Sequence, residues 1–272
     1  MIFIKKDILM IKKSTILGLI ALMLSGCEQN DENTIIFGEV TADKQVVLSN
    51  DEGSPQCTVH LRLAYATDEN GQKAGIVNET IQRRFLDMHD LTMKQAADSF
   101  ANSYAAAYKK NFLPLYNQDR ADTTKRSWYE YHYVITSQTQ PRSKGTTSYI
   151  ATIDYFEGGT HGVNMQQTIL FDNHDGRELT LDDLFERGYE NPITAILLKS
   201  LQEKLGAEST RDLNNLGYLV GMKLFPSKNF ILNDETITFI YNPHEIAPYE
   251  KGSTELTVSL SELGDILKKE YQ

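Results

Sequence analysis

The sequence predicts an α+β body: a mostly antiparallel sheet with helices packed on it, in a single compact body. Three observations carry this expectation. Residues 57–65 (CTVHLRLAY) alternate, with Cys57, Val59, Leu61, Leu63 and Tyr65 on one face and Thr58, His60 and Arg62 on the other, the mark of a half-buried strand. Met93, Ala96, Ala97, Phe100, Tyr104, Ala107 and Tyr108 recur at helical spacing. Short turn clusters such as Asn233-Asp234-Glu235 separate neighbouring strand-like runs.

The chain has 272 residues and a formal charge of -10. The first 26 residues hold four Lys and one Asp, so the remainder carries 23 basic against 36 acidic residues, or -13. Such a surface repels phosphate backbones and argues against nucleic acid as a partner. Residues 1–26 read as an export signal. Lys5, Lys6, Lys12 and Lys13 precede an apolar run at 16–24 that is far too short to span a bilayer, and Met10 is an alternative start. Leu24-Ser25-Gly26-Cys27 resembles a lipobox, which implies cleavage before Cys27 and lipidation of its thiol, palmitate included. The acidic run 28–33 resembles the surface-export signal of lipoproteins in the Bacteroides group. Residues 27–50 are read as the lipidated Cys and a flexible tether. The expected address is the cell envelope, at the outer membrane and surface-exposed, held by lipid rather than by a membrane span. With Cys27 consumed, Cys57 has no partner for an internal disulfide and reads as a buried small hydrophobe.

In chain order, Asn78 is read as the cap of a helix carrying Ile81, Phe85 and Leu86. Thr92 and Gln95 make a capping box for the next helix, with Pro114 after its end and 117–126 as a loop. Residues 128–137 (WYEYHYVITS) form an aromatic strand, and 148–156 and 164–171 form two more. Thr180 with Asp183 has the shape of a capping box. Asn191 and Pro192 start a helix with Ile193, Ile196, Leu197, Leu201 and Leu205 inward, stopped by Gly206. Residues 213–225 fit either helix or strand. Residues 230–232 and 236–241 form a hairpin, 253–260 a last strand, and 261–269 a closing helix.

Two turns invite chemistry. Glu157-Gly158-Gly159-Thr160-His161-Gly162 allows positive φ and close backbone approach, but it lacks a GxxxxGK[ST] pattern and no helix follows, so it is a hairpin connection and not a phosphate loop. Residues 171–176 (FDNHDG) hint at calcium. Aligned on Gly176, the pattern puts Phe171 where the first acidic ligand must stand, so no EF-hand is expected and no metal or cofactor is assigned. His161 reads first as a turn histidine, with ligand binding or acid–base work as the alternative.

These blocks together resemble a known family. Gly158, Gly159, His161, Gly162, Phe171, Asp172, Gly176, Leu179, Thr180, Leu181, Asp183, Leu184 and Phe185 match one half of the pattern of the RsiV-like extracellular domain, DUF3298. Glu245, Ile246, Ala247, Pro248, Tyr249 and Gly252 match the other half, with His244 where a Tyr is common. Residues 51–145 resemble the DUF4163 region that accompanies it, and 146–272 are taken as the DUF3298 region. The resemblance implies an extracytoplasmic α/β body; in the name-giving member it binds lysozyme, and relatives carry it beside peptidoglycan-modifying enzymes.

The leading expectation is therefore a non-enzymatic, lipid-anchored binding domain for lysozyme or another cell-wall-related ligand, without sigma-factor regulation. Its candidate contacts are Gly158, Gly159, His161, Tyr241, Glu245 and Tyr249. The alternative is an envelope enzyme, or a binder of glycan or peptidoglycan fragments, using His161 with a nearby carboxylate such as Asp154 or Glu157. Convergence of His161, Glu245 and an acidic residue in a concave pocket favours the enzyme reading; a flat or convex surface favours protein binding or a purely structural role.

Overall fold

The computed structural model describes residues 34–159 and 161–272. The export signal, Cys27, the acidic run and Thr160 lie outside the described residues. The described chain belongs to one compact unit, Asp31–Gln272, with the expected α+β architecture.

Strands β1 (Phe37–Val47) and β2 (Gln56–Ala66) form an antiparallel hairpin. The chain then crosses through α1 (Gln72–Phe85) and α2 (Met93–Asp119) before β3 (Tyr131–Pro141) pairs with β2 in parallel. A parallel neighbour demands a long crossover, and the two helices supply it. Next, β4 (Thr146–Glu157), β5 (Val163–Asp172) and the short β6 (Glu178–Leu179) add on antiparallel, giving the order β1-β2-β3-β4-β5-β6. Helices α3 (Leu181–Leu184), α4 (Glu190–Leu205) and α5 (Thr210–Asn215) lead to a second sheet. It consists of β7 (Phe230–Leu232), β8 (Thr236–Tyr241) and β9 (Thr254–Ser259), all antiparallel, and ends in α6 (Leu260–Leu263). Among the described residues, no helix is long and apolar enough to cross a membrane.

The unit holds two apolar clusters. In the first, Cys57, Val59, Leu61 and Leu63 of β2 are buried beneath α1 and α2. Ala96, Ala97, Ala101 and Ala105 of α2 are buried too. With one methyl each, they let that helix lie close on β1 and β2. Burial pushes the Cys57 thiol up to about 11, so it stays protonated and packs as a small hydrophobe. The second cluster joins Leu170, Leu181, Leu184 and Phe185 to α4 and the inner side of the second sheet.

Several boundaries differ from the sequence reading. Residues 37–47 are not tether but β1, with Val40 and Ala42 buried opposite Leu63 and Leu61. Asp43, Lys44 and Gln45 interrupt the apolar alternation there, as edge strands do, and so hide the strand. Asn78 is not a cap: α1 starts at Gln72, and the Asn78 amide pairs with both Ala66 N–H and Ala66 C=O at 2.8 Å. Pro114 lies inside α2, which continues to Asp119. Pro114 can donate no helical bond, yet buried Tyr116 packs edge-on against Tyr129 at 5.6 Å and holds the last turn. Residues 213–225 are mostly turns after α5, and 261–269 hold only α6 and short 3-10 turns.

The second sheet meets the first at the edge of β5. The β6 strand covers only Leu170 and Phe171 of that edge. Beyond it, side-chain amides replace a strand. Asn229 accepts from Thr168 N at 2.8 Å and donates to Gln166 O at 2.9 Å. Asn242 accepts from Gln166 N and donates to Gln166 O, both at 2.9 Å. Phe230 N adds a bond to Thr168 Oγ1 at 2.9 Å.

The acidic turn is a packing device. Asp172 Oδ1 accepts from His174 N at 2.8 Å, and Asp175 Oδ1 accepts from Arg177 N at 2.9 Å. Gly176 has φ +79°, and a Cβ there would lie 3.1 Å from both Lys73 O and Val77 Cγ2 of α1. Gly176→Ala should destabilise the protein by about 1–3 kcal/mol through strain and this contact; denaturant melts with unchanged stability would refute the account.

At α3, Thr180 N and its hydroxyl both donate to Asp183 Oδ2 at 2.8 Å, and Arg177 donates to Oδ1 at 2.9 Å. Burial raises the Asp183 pKa, but these three donors outweigh it and hold the carboxyl below its ordinary value. A folded pKa below the unfolded one gives stability that is present above the unfolded value, roughly 4, and is lost as pH falls through the folded one. Asp183→Asn should therefore show a smaller loss of melting temperature than the parent on acidification below about pH 4. Parallel acid curves for the two proteins would contradict it.

Candidate binding site

Strands β4 and β5 end in the turn at 158–162. Gly158 has φ +79°, and a Cβ there would stand 2.9 Å from Trp128 O, so only glycine fits. Gly159, at φ +98°, has open space around it. The turn is tied to the Pro-rich segment after β8. Tyr249 Oη donates to Gly162 O at 2.7 Å. The His161 ring lies on the Tyr249 ring, with centroids 4.0 Å apart and planes 17° apart, and its Nδ1 sits 3.2 Å from the same Gly162 O. An N–H at Nδ1 would leave Nε2 as a free acceptor. The His244 ring comes to 5.6 Å from Tyr249.

The far wall is fixed by the β5 edge. Asn242 grips Gln166, and its own N–H donates to Glu245 Oε2 at 2.9 Å. This sets His244 at φ +72°, in the left-handed region, where its ring projects from the turn as an exposed group. His161, His244, Glu245 and Tyr249, with Asn164 and Gln167 of β5, line a concavity of about 260 Å³. Val163, Met165 and Pro243 supply its apolar floor. Aromatic rings, amides, one carboxylate and an apolar patch together offer stacking, hydrogen-bonding and apolar contacts in one concavity.

Of the predicted residues, His161, Glu245 and Tyr249 thus converge. Gly158 and Gly159 shape the turn without lining the concavity. Tyr241 is fully buried in the second cluster; its hydroxyl donates to Phe225 O at 2.6 Å, and burial raises its pKa. Asp154 and Glu157 are engaged elsewhere. Asp154 accepts from His132 Nε2 at 2.8 Å and Asn164 Nδ2 at 3.0 Å, on the sheet face opposite the helices. Glu157 accepts from Tyr104 Oη at 2.5 Å. Among the described residues, no carboxylate is hydrogen-bonded to His161, and no group of three or more His, Cys, Asp or Glu could hold a metal ion. The sequence reading missed Asn164, Gln167, Asn242 and His244. The available signal was that Asn242 and His244 flank Pro243 in a segment too apolar for a free loop.

The two-sheet α+β fold of this body is shared by solved structures. Residues 182–261 match the family model "Protein of unknown function (DUF3298)". That segment contains the second sheet and the Tyr249 wall of the pocket; the glycine turn lies before it. A DUF3298 protein of Bacteroides fragilis superposes with a TM-score of 0.80 at 24% identity, covering 87% of this chain and 94% of that one. A DUF3298 protein of Pseudomonas aeruginosa PAO1 gives 0.60 at 17% identity, covering 88% and 98%. These likenesses establish the fold. The peptidoglycan-N-acetylmuramic acid deacetylase PdaC of Bacillus subtilis is 23% identical over 181 residues, 66% of this chain but only 37% of that protein.

Tyr249→Phe keeps the ring under His161 and removes the bond to Gly162. It should lower stability by about 1 kcal/mol, whereas exposed His161→Ala should change stability by less than about 0.5 kcal/mol. Thermal melts of the two variants check this; a larger loss for His161→Ala would make the histidine a turn anchor.

Proposed function

We propose that the protein is a non-catalytic, envelope-anchored module that binds an N-acetylated sugar of peptidoglycan in the concavity between the glycine turn and the Pro-rich segment. The observation that carries the reading is the face-to-face His161–Tyr249 pair set beside Asn164, Gln167 and Glu245. A pyranose offers an apolar C–H face to an aromatic ring and hydroxyls to amides and carboxylates, so both halves of the pocket have a counterpart on such a ligand. Val163, Met165 and Pro243 suit the methyl of an acetamido group. The volume of about 260 Å³ fits one sugar ring better than a protein patch. The relative PdaC, whose name states action on peptidoglycan N-acetylmuramic acid, supports the same ligand class.

Anchoring through lipidated Cys27 at the outer membrane belongs to this proposal; facing outward, the pocket would meet released peptidoglycan fragments rather than the intact cell wall. The lysozyme reading rests on the RsiV-like resemblance and on a charge of -13 suited to steering a basic protein. A small concave pocket gives it no particular support.

Calorimetric titration with the N-acetylglucosaminyl-N-acetylmuramic acid disaccharide tests the reading, with lysozyme run in parallel. Saturable binding of the disaccharide, weakened about tenfold or more (1.4 kcal/mol) by Tyr249→Ala, is expected. Binding of lysozyme alone, or of neither, would overturn it. Recovery of a deacetylated or cleaved sugar after incubation would replace binding with catalysis.

A further inference from the structure

The hairpin-tip pocket does not end at β5. The antiparallel register places Tyr131 opposite Glu157, Tyr133 opposite Tyr155, Tyr155 opposite Val163 and Ile153 opposite Met165. These side chains therefore share one face of the sheet, the face that α2 covers farther toward β1. Two further depressions lie along it. Met165 and Gln167 form the wall between the tip pocket and a second hollow of about 320 Å³, which is floored by Tyr133, Ile153 and Tyr155. Glu157 forms the wall between that hollow and a third of about 270 Å³, bounded by Tyr104, Ala107, Asn111, Phe112 and Tyr131. Shared walls make the three a continuous line from Tyr249 to Phe112.

The chemistry repeats along the line. Each hollow pairs aromatic rings with an amide or carboxylate at its rim: exposed His161 and half-buried Tyr249 with Glu245, half-buried Tyr133 and Tyr155 with Gln167, half-buried Phe112 and Tyr131 with Asn111. The rings are mutually braced, Tyr133 on Tyr155 at 5.4 Å and Phe112 on Tyr131 at 4.7 Å, so each presents a preset surface. Glu157, between the second and third hollows, is oriented by the Tyr104 hydroxyl and keeps an acceptor oxygen for a ligand hydroxyl. Arg84, on the line, is paired with Glu178 at 2.8 Å, so among the described residues that line these hollows no Lys or Arg is left unpaired to attract a phosphate or sulfate. A repeating, uncharged, flat-faced polymer matches this surface.

We infer that the tip pocket is one end of an extended groove that takes a linear N-acetylated glycan strand of several sugars, with Tyr104, Tyr131 and Phe112 as its distal platform. The inference rests on the sugar-binding reading of the tip pocket. The full chain, titrated calorimetrically with N-acetylglucosamine oligomers of increasing length, tests it. Affinity should rise about tenfold from the disaccharide to the hexasaccharide, equivalent to about 1.4 kcal/mol. Ala107 is an exposed position on α2 and Arg is a good helix former; Ala107→Arg should fill the distal hollow, abolish the gain with length and leave the disaccharide affinity unchanged. Equal affinity at every length, or a length gain that survives Ala107→Arg, overturns the groove while leaving the tip pocket standing. Failure of every oligomer to bind overturns both.

Discussion

The side-chain amides of Asn229 and Asn242 on the open edge of β5 are what the rest of the molecule depends on. A bare strand edge leaves N–H and C=O groups that must find partners or stay in water. Here Gln166 and Thr168 find them in two asparagines, one just before β7 and one just after β8. An intramolecular hydrogen bond contributes only about 1 kcal/mol net, but removing one partner of a sequestered pair costs about 1–3 kcal/mol. The asymmetry makes the junction hard to slip. A displaced amide would strand several backbone groups at once. Because Asn242 also begins the Pro-rich segment, the same bonds that dock the second sheet set where Tyr249 meets His161.

The device recurs at the other end of the first sheet. Asn70 accepts from Ile36 N at 2.8 Å and donates to Ile36 O at 2.7 Å, and Asn78 does the same for Ala66. An asparagine amide presents a donor and an acceptor at nearly the spacing of a peptide group, so it can stand in for one residue of a missing strand. It does so without extending the sheet, which leaves the outer strand ends closed to further pairing. The chain thus finishes its strand edges with single residues drawn from helices and loops.

This explains which parts of the structure were legible in the sequence. Burial imposes a local period, so the alternation of Cys57 to Tyr65, the stripe of α2 and the boxes at Thr92 and Thr180 could be read directly. The junction has no local period. Asn242 lies 76 residues from Gln166, and Asn229 lies 61 from Thr168, so neither differs in pattern from a surface asparagine. The run through Pro114 was hidden for a related reason. The proline argues for a stop, and only the distant packing of Tyr116 on Tyr129 overrules it. At the site, Gly158, Gly162 and Tyr249 stood out by type, yet their joint purpose appears only once Tyr249 Oη is seen on Gly162 O. Tyr241 stood beside them as a candidate and turned inward, because it ends β8, which is buried from Ile237 to Tyr241.

His244 carries the same logic into the pocket. A non-glycine residue at φ +72° carries a conformational cost of order 1–3 kcal/mol and persists only where its surroundings over-determine it. They do so here: His244 N donates to Ala247 O at 3.1 Å, Glu245 N donates to Asn242 O at 3.1 Å, and the Glu245 carboxylate accepts from Asn242 N. The turn is closed by its own backbone and anchored through Asn242 to β5. Glycine would hold the same turn with less strain, and a histidine in its place adds an exposed ring beside Tyr249. The strained position and the stacked His161 thus point to the same rim. One ring is fixed by the first sheet's hairpin and the other by the second sheet's outgoing loop. The pocket therefore exists only while the amide junction holds the two sheets together.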